Sequence, residues 1–401
     1  MSPQIFGHGL SADVDTARAV REACEAALEP LRGARVTFAA VFATPSHWRD
    51  SNELATLIAA EVNPEHVVGS MAEAVIARGR ELDQGPGLAI LVAHLPGAIV
   101  TTRHLQMAPE GDTLATTGEM PAARLGRDSA PCVVLSDPFS MDGERLIDEL
   151  GRLGYWSVGG LSSGGRAFGE HRLMIDGRVV SDGAVIATID GIRTRSLVSQ
   201  GCAPIGPEMV ITDATSDVVH SLAGRPALER LEEIIGTLNP AERALAAGGL
   251  LAGLVIDENQ PEYGRGDYLI RGVLGADRDS GNIMIGARVR IGQTLRFHVR
   301  DASTADGDLR DALEACRPSS GQISGGLLFS CNGRGQHLFA APDHDASMAA
   351  KILGSLPIAG MFCNGEIGPV GGGNFLHGFT ATMLLFEEGD GTSASGTRQF
   401  T

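Results

Sequence analysis

Three times along the chain the same pattern of apolar and polar positions recurs. An unbroken apolar run leads through a short polar turn to a stretch with apolar residues at helical spacing. A second apolar run then ends in glycine and small residues, and a hairpin and a closing apolar run follow. In the first copy the opening run is RVTFAAVFAT (35–44). The helix RDSNELATLIAAEV carries Leu54, Leu57, Ile58 and Val62 on one face, the glycine turn is VVGSMAEAV, and GLAILVAHL closes. In the second copy the same places are taken by CVVLSDPF, DGERLIDELGRLG, SVGGLSSGG (157–165) and GAVIATIDG. In the third they are taken by GGLLFSCNGRG (325–335), DHDASMAAKILGSL, IAGMFCNGEIGP and GFTATMLLFEE. Continuous apolar strands of this kind imply sheets covered by helices.

The segment from about Ser196 to Asp301 departs from the repeat. It reads as the helix RPALERLEEIIGTL, the run ERALAAGGLLAGLVI and the strands YLIRGVLGAD, IMIGARV and TLRFHVRD. A helix with Leu309, Leu313 and Cys316 on one face follows. Residues 101–130 show weak periodicity and read as a long connection, either a functional insertion or the cover of a sheet edge. The polar, small-residue-rich stretch after Glu388 reads as a frayed tail. The expected class is α/β, mixed α+β. Two related halves of mixed sheets flanked by helices are expected, with boundaries at 1–212, 213–388 and a tail 389–401, the halves meeting near Gly201 to Gly224.

Composition narrows the function. The 401 residues are 43% hydrophobic and 20% charged, enough to build a large core, and aromatics are only 4%, so aliphatic residues fill it. A formal charge of −17 disfavours nucleic acid and anionic membrane partners. The six cysteines are scattered without a CxxC pair, which argues against a disulfide framework or zinc ribbon. No signal peptide and no run of about 20 apolar residues is seen, so the expectation is a cytoplasmic protein without membrane insertion.

The third copy carries the strongest chemical signal. SCNGRGQH and CNGEIGPVGGGNFLH both place Cys-Asn-Gly at the end of an apolar strand, with Arg334 and Glu366 each three residues after a cysteine. If the two strands are adjacent, Cys331 and Cys363 open onto one sheet edge. Arg334 and Glu366 then either pair or take the two ends of a zwitterion, with backbone N–H groups of the glycine loops facing a small anion. Turn chemistry and a surface ion pair explain each loop taken singly. GLSSGG, with Ser162 and Ser163, is a second backbone-loop candidate; it is neither a GxSxG elbow nor a P-loop. The histidines form no HExxH or haem motif, and His377 closes the second glycine loop.

These residues resemble the C-terminal signature of the FIST family (F-box and intracellular signal transduction). In it a strand leads to Cys-x-Gly-Arg-Gly, and a second strand leads to Gly-Glu-Ile-Gly with a later His-x-x-Thr. The chain upstream, including VVGSMAEAV and SVGGLSSGG, is similar to the rest of the family pattern over about 35–387. Carried over by residue, the motif gives Cys331, Gly333, Arg334 and Gly335 from one loop, and Gly365, Glu366, Ile367, Gly368 and His377 from the other. The resemblance implies a sensory small-ligand-binding module, with amino acids the usual proposal, that acts beside a separate signalling protein. It also implies haem in some bacterial relatives. The expected ligand-binding set is Cys331, Arg334, Gly335, Cys363, Asn364, Glu366, Gly368, His377, Ser162 and Ser163, with no catalytic or metal residue and no required cofactor. The alternatives are a cysteine-dependent enzyme using Cys331 or Cys363, a haem-based gas sensor, or an oligomeric scaffold.

Overall fold

The structure is a computed structural model that describes residues 3–49, 51–111, 113–125, 128–264, 266–317, 322–388 and 398–399. The polar tail expected from residue 389 lies outside the described residues except for the short strand Arg398–Gln399. The chain divides into two compact units. One comprises Met1–Val198, Leu309–Leu376 and Thr380–Thr401; the other comprises Ser199–Asp308 and His377–Phe379. The class is mixed α/β, as the apolar pattern predicts.

All three copies of the repeat lie in the first unit, and each builds the centre of one mixed sheet. The opening strands are Phe38–Ala43, Ala130–Ser136 and Ile323–Cys331. Each pairs in parallel with the second strand of its own copy, His66–Met71, Tyr155–Leu161 or Ile358–Cys363. On the other side each pairs antiparallel with its own closing strand, Leu88–His94, Ala184–Asp190 or Thr380–Glu387. Beyond the closing strand a leading strand extends the sheet: Ile5–Ser11, Ile99–Glu110 or Arg193–Gln200. The stretch taken as a long connection is therefore largely strand: Ile99–Glu110 and Thr113–Thr117 form a hairpin at a sheet edge. Its polar, half-exposed residues hide the strand signal that a buried face would give.

The remaining edge of each sheet comes from a different copy. The first copy's hairpin, Val75–Ala77 with Arg80–Leu82, joins the third sheet through Ile358–Cys363. The third copy's hairpin, Glu366–Val370 with Gly373–His377, joins the second sheet through Tyr155–Leu161. The second copy's hairpin, Leu173–Ile175 with Arg178–Val180, joins the first sheet through His66–Met71. The exchange is cyclic. Inner faces of all three sheets share one core that includes Phe38, Phe42, Val133, Leu135, Phe329, Met361 and Phe386. The outer faces are covered by helices: Thr16–Leu28 and Ser51–Val62 over the first, Gly143–Arg152 over the second and His344–Leu353 over the third.

The second unit is a separate antiparallel sheet of Cys202–Thr215, Thr294–Arg300, Leu250–Val255, Tyr268–Asp277, Asn282–Ile285, Val218–Leu222 and Arg225–Pro226. Its core is formed with the helix Ala227–Thr237. Among the described residues no helix is long and apolar enough to cross a membrane.

One glycine recurs at the same place in each second strand. Gly69, Gly159 and Gly360 lie opposite Val41, Val134 and Leu328 in the parallel ladders. A Cβ there would sit 2.7, 1.9 and 1.7 Å from the carbonyl oxygen of that same partner. Backbone approach this close admits only glycine. Gly360→Ala therefore prevents stable folding, seen as loss of a cooperative thermal transition. Gly236→Ala, at an open helical position, leaves the transition intact or raises stability by about 0.5–1 kcal/mol.

Candidate paired-loop site

The ends of the three second strands meet where their copies exchange hairpins. The Ser163 N–H donates to Met71 O at 3.3 Å, the Asn364 N–H to Leu161 O at 3.2 Å, and the Phe362 N–H to Ala74 O at 3.0 Å. Each copy thus bonds to the next around a ring. Ser163 Oγ adds a bond to Phe362 O at 2.7 Å and accepts from the Glu73 N–H at 2.8 Å. Ser162 Oγ shares a hydrogen bond with Ser70 Oγ at 2.7 Å, and both Ser162 and Ser163 are buried. The two candidate serines are thus placed beside the paired loops, with their hydroxyls already engaged in joining the copies.

Cys331 and Cys363 are register partners at the ends of adjacent parallel strands, the adjacency that the repeated Cys-Asn-Gly required. The loops beyond them are tied together: the Asn332 N–H donates to Cys363 O at 3.0 Å, and Asn332 Nδ2 to Asn364 Oδ1 at 2.8 Å. Asn364 is exposed and its Nδ2 donates to Ser162 O at 3.1 Å. The two thiols differ sharply. Cys363 is fully buried, and a Cβ on Gly160 would lie 2.3 Å from its Sγ. Burial pushes its thiol well above the ordinary range, with the nearby Glu366 and Cys331 acting the same way. A nucleophilic Cys363 is incompatible with that enclosure. Cys331 is half-buried and its Sγ accepts from the Gly333 N–H at 3.4 Å.

Arg334 does not project into solvent. It is 1% exposed, and its Nε and Nη2 donate to Asp345 Oδ2 and Oδ1, both at 2.8 Å, in a bidentate pair. Asp345 sits in the first turn of His344–Leu353, where the helix end favours a carboxylate. Burial alone would raise its pKa; the Arg334 guanidinium and hydrogen bonds from Arg334, His344 and Ser330 outweigh that and hold it well below the usual range. The third guanidinium nitrogen, Nη1, is buried and has no partner.

Glu366 is fully buried opposite Gly160, at the start of the exchanged hairpin. Its Oε2 accepts from both the Thr380 N–H, at 3.1 Å, and the Thr380 hydroxyl, at 2.8 Å. Its Oε1 has no partner in ordinary hydrogen-bond geometry, and the Cys331 thiol lies close enough to the carboxyl to favour its charged form. Burial pushes the carboxyl up to about 8, although Thr380, the Arg334 charge and the Cys331 thiol pull the other way. Glu81 stands on the other side of Asp345. Its Oε1 accepts from the Ala346 N–H at 2.9 Å, and burial and the Asp345 charge likewise push it up to about 8.

Two further candidates have backbone duties. Gly335 lies at φ +53°, and a Cβ there would meet Asp83 Oδ2 and the Phe362 ring, both at 2.9 Å. A Cβ on Gly368 would lie 2.5 Å from Val198. His377 is buried and belongs to the second unit. Asp345 and Glu81 were not legible as site residues, and Thr380, the threonine of His-x-x-Thr, stands in the motif but outside the expected set. Asp345 did carry a signal: it lies three, four and seven residues before Met348, Ala349 and Ile352, an acid on the apolar face of a helix. Another acid–base pair was also missed: His171 Nδ1 and Asp137 Oδ1 are 2.8 Å apart, both buried. His171 Nε2 accepts from the Gly165 N–H at 3.1 Å, so the ring is spent on holding the turn. Among the described residues no group of three or more His, Cys, Asp or Glu is placed to hold a metal ion.

The FIST N domain matches residues 37–225 and the FIST C domain matches residues 227–369. The chain belongs to the FIST family. A Mycobacterium tuberculosis protein described as uncharacterized is 42% identical over 385 residues, 95% of this chain and 99% of the relative. A Mycobacterium bovis protein, also described as uncharacterized, is 39% identical over 384 residues, 95% of this chain and 98% of the relative. An F-box/LRR-repeat protein of Arabidopsis thaliana is 31% identical over 101 residues, 24% of this chain and 19% of the relative.

Two outcomes follow from the burial of these groups. In the native protein one thiol reacts quickly with an aromatic disulfide reagent and Cys331→Ser removes it, because the other five cysteines are buried. Glu366 and Glu81 both have native pKa values above the ordinary 4.5, so the native state holds protons that the unfolded chain has lost. Stability is then full below about 4.5 and falls as pH rises toward 8, by on the order of 1 kcal/mol per pH unit for each carboxyl. Denaturant unfolding between pH 5 and 8 reads this slope, and Glu366→Gln removes its share.

Proposed function

We propose that this FIST protein is a small-ligand-binding signal-transduction module whose ligand is held by the paired loops at Cys331–Gly335 and Cys363–Gly368. The ligand is an amino acid or similar small metabolite. Family membership supports the class of function. The site itself rests on one observation: Arg334 and Glu366, in matched places after two register-paired cysteines, are both buried and both keep one polar atom without a partner. Buried polar groups are nearly always satisfied, so an orphan donor and an orphan acceptor on neighbouring loops are what a small polar molecule would complete. In this arrangement Nη1 of Arg334 takes a carboxylate or carbonyl oxygen, and Oε1 of Glu366 takes the opposite pole. The signal passes to a separate partner protein.

Thermal unfolding against a panel of amino acids and small organic acids tests this function. A ligand present at 100 times its Kd raises stability by about 2.7 kcal/mol, and Glu366→Gln abolishes most of that gain while the protein stays folded. A panel that leaves the transition of the wild-type protein unmoved overturns the proposal.

A further inference from the structure

Counting charges around Arg334 exposes an imbalance. Its guanidinium pairs with Asp345 and its charge reaches Glu366, while a third buried carboxyl, Glu81, lies beside Asp345. All four side chains are at most 5% exposed. One cation neutralises one carboxylate, and Asp345 takes it by direct contact. The other two carboxyls are left without a counter-charge in a low-dielectric interior, where an unpaired ionised group is strongly disfavoured. Each is held through one oxygen: Glu81 Oε1 accepts from the Ala346 N–H and Glu366 Oε2 from Thr380, while Glu81 Oε2 and Glu366 Oε1 stay without a partner in ordinary hydrogen-bond geometry. They differ in place: Glu81 faces the start of the helix His344–Leu353, whereas Glu366 lies on the paired loops with the Cys331 thiol beside its carboxyl.

We infer that Glu366 is a proton-exchanging anchor for a cationic group: a ligand's ammonium replaces the proton on Glu366, so binding at this site releases a proton. The inference rests on the ligand-binding function proposed above and specifies its chemistry. In the free protein Glu366 is a neutral acid. The incoming N–H of an ammonium meets Oε1, the carboxylic proton leaves to solvent, and a carboxylate–ammonium pair remains. The ligand's own carboxylate faces Nη1 of Arg334, so a zwitterion leaves the net charge around the two residues unchanged apart from the proton lost. The neighbouring strand Gly373–His377 carries the buried His377, and the other titrating groups around Glu366 are Arg334, Cys331 and Cys363. Arg334 stays charged, Cys363 is pushed far up by burial, and Cys331 is the thiol alongside. The strands Tyr155–Leu161 and Thr380–Glu387 present Gly160 and Thr380 to it. With Glu366 at about 8, ionising it at neutral pH is a small cost, so exchange is accessible where a cell operates.

Titration calorimetry of the full chain tests the exchange. The probes are the twenty protein L-amino acids, each beside its N-acetyl derivative, in two buffers of different ionisation enthalpy. The expected result is release of about one proton per ligand at pH 7, with affinity rising close to tenfold per pH unit from 6 toward 8. The N-acetyl derivative, which has no cationic nitrogen, binds at least a hundredfold more weakly. Glu366→Gln removes both the proton release and the pH dependence; should that variant not fold, the wild-type proton count decides alone. Binding without proton exchange, or equal binding of the N-acetyl form, overturns the anchor and leaves the ligand-binding function standing. No binding by any probe overturns the anchor together with its zwitterionic ligand.

Discussion

The architecture depends on each sheet being finished by a hairpin from another copy. A sheet edge left open is a row of unpaired N–H and C=O groups. Here the first copy closes the third sheet, the third closes the second, and the second closes the first. The glycines Gly69, Gly159 and Gly360 permit the close packing of the parallel strands at that seam, and the ring of backbone bonds through Met71, Leu161 and Phe362 fixes it. The paired loops are a by-product of this arrangement. They are the places where an opening strand and a second strand stop at one edge while a hairpin departs for another sheet.

The same exchange explains why two family matches do not divide the molecule into two independent pieces. The match ending at residue 225 contains two copies, and the match beginning at residue 227 contains most of the third. Yet Val75–Ala77 from the first match is a strand of the third sheet, and Glu366–Val370 from the second match is a strand of the second sheet. The segment Ser199–Asp308 is a distinct unit placed within the third copy, between its leading and opening strands.

Local signals made the repeat legible. Apolar strands, helix faces and glycine turns depend on nearest neighbours, and the repeated Cys-Asn-Gly placed Cys331 and Cys363 on one sheet edge on condition that their strands are adjacent, which they are. The hairpin partners were not legible, because nothing in Val75–Leu82 records that its neighbour lies almost 300 residues away. Burial of the candidate site was hidden for the same reason. Arg334 reads as a surface charge until Asp345, on a helix of the same copy, reaches it from behind. Glu366 reads as a turn residue until Gly160 of another copy and Thr380 enclose it. Residues 101–130 hid a strand because their alternation is polar on both faces.

The cyclic exchange also has a consequence for synthesis. A chain emerging from the ribosome completes its first sheet once the hairpin near residue 180 has appeared, since every strand of that sheet lies upstream. The second sheet has its leading hairpin, opening strand and second strand by then and gains its closing strand Ala184–Asp190 just after, but waits for Glu366–Val370, the last hairpin made. During that interval the edge of Tyr155–Leu161 stands open beside an apolar face, the condition in which nascent chains pair with the wrong neighbour. The glycine-rich end of that strand is a poor template for a foreign strand. The same glycines that let the finished sheets pack closely thus also protect the unfinished one.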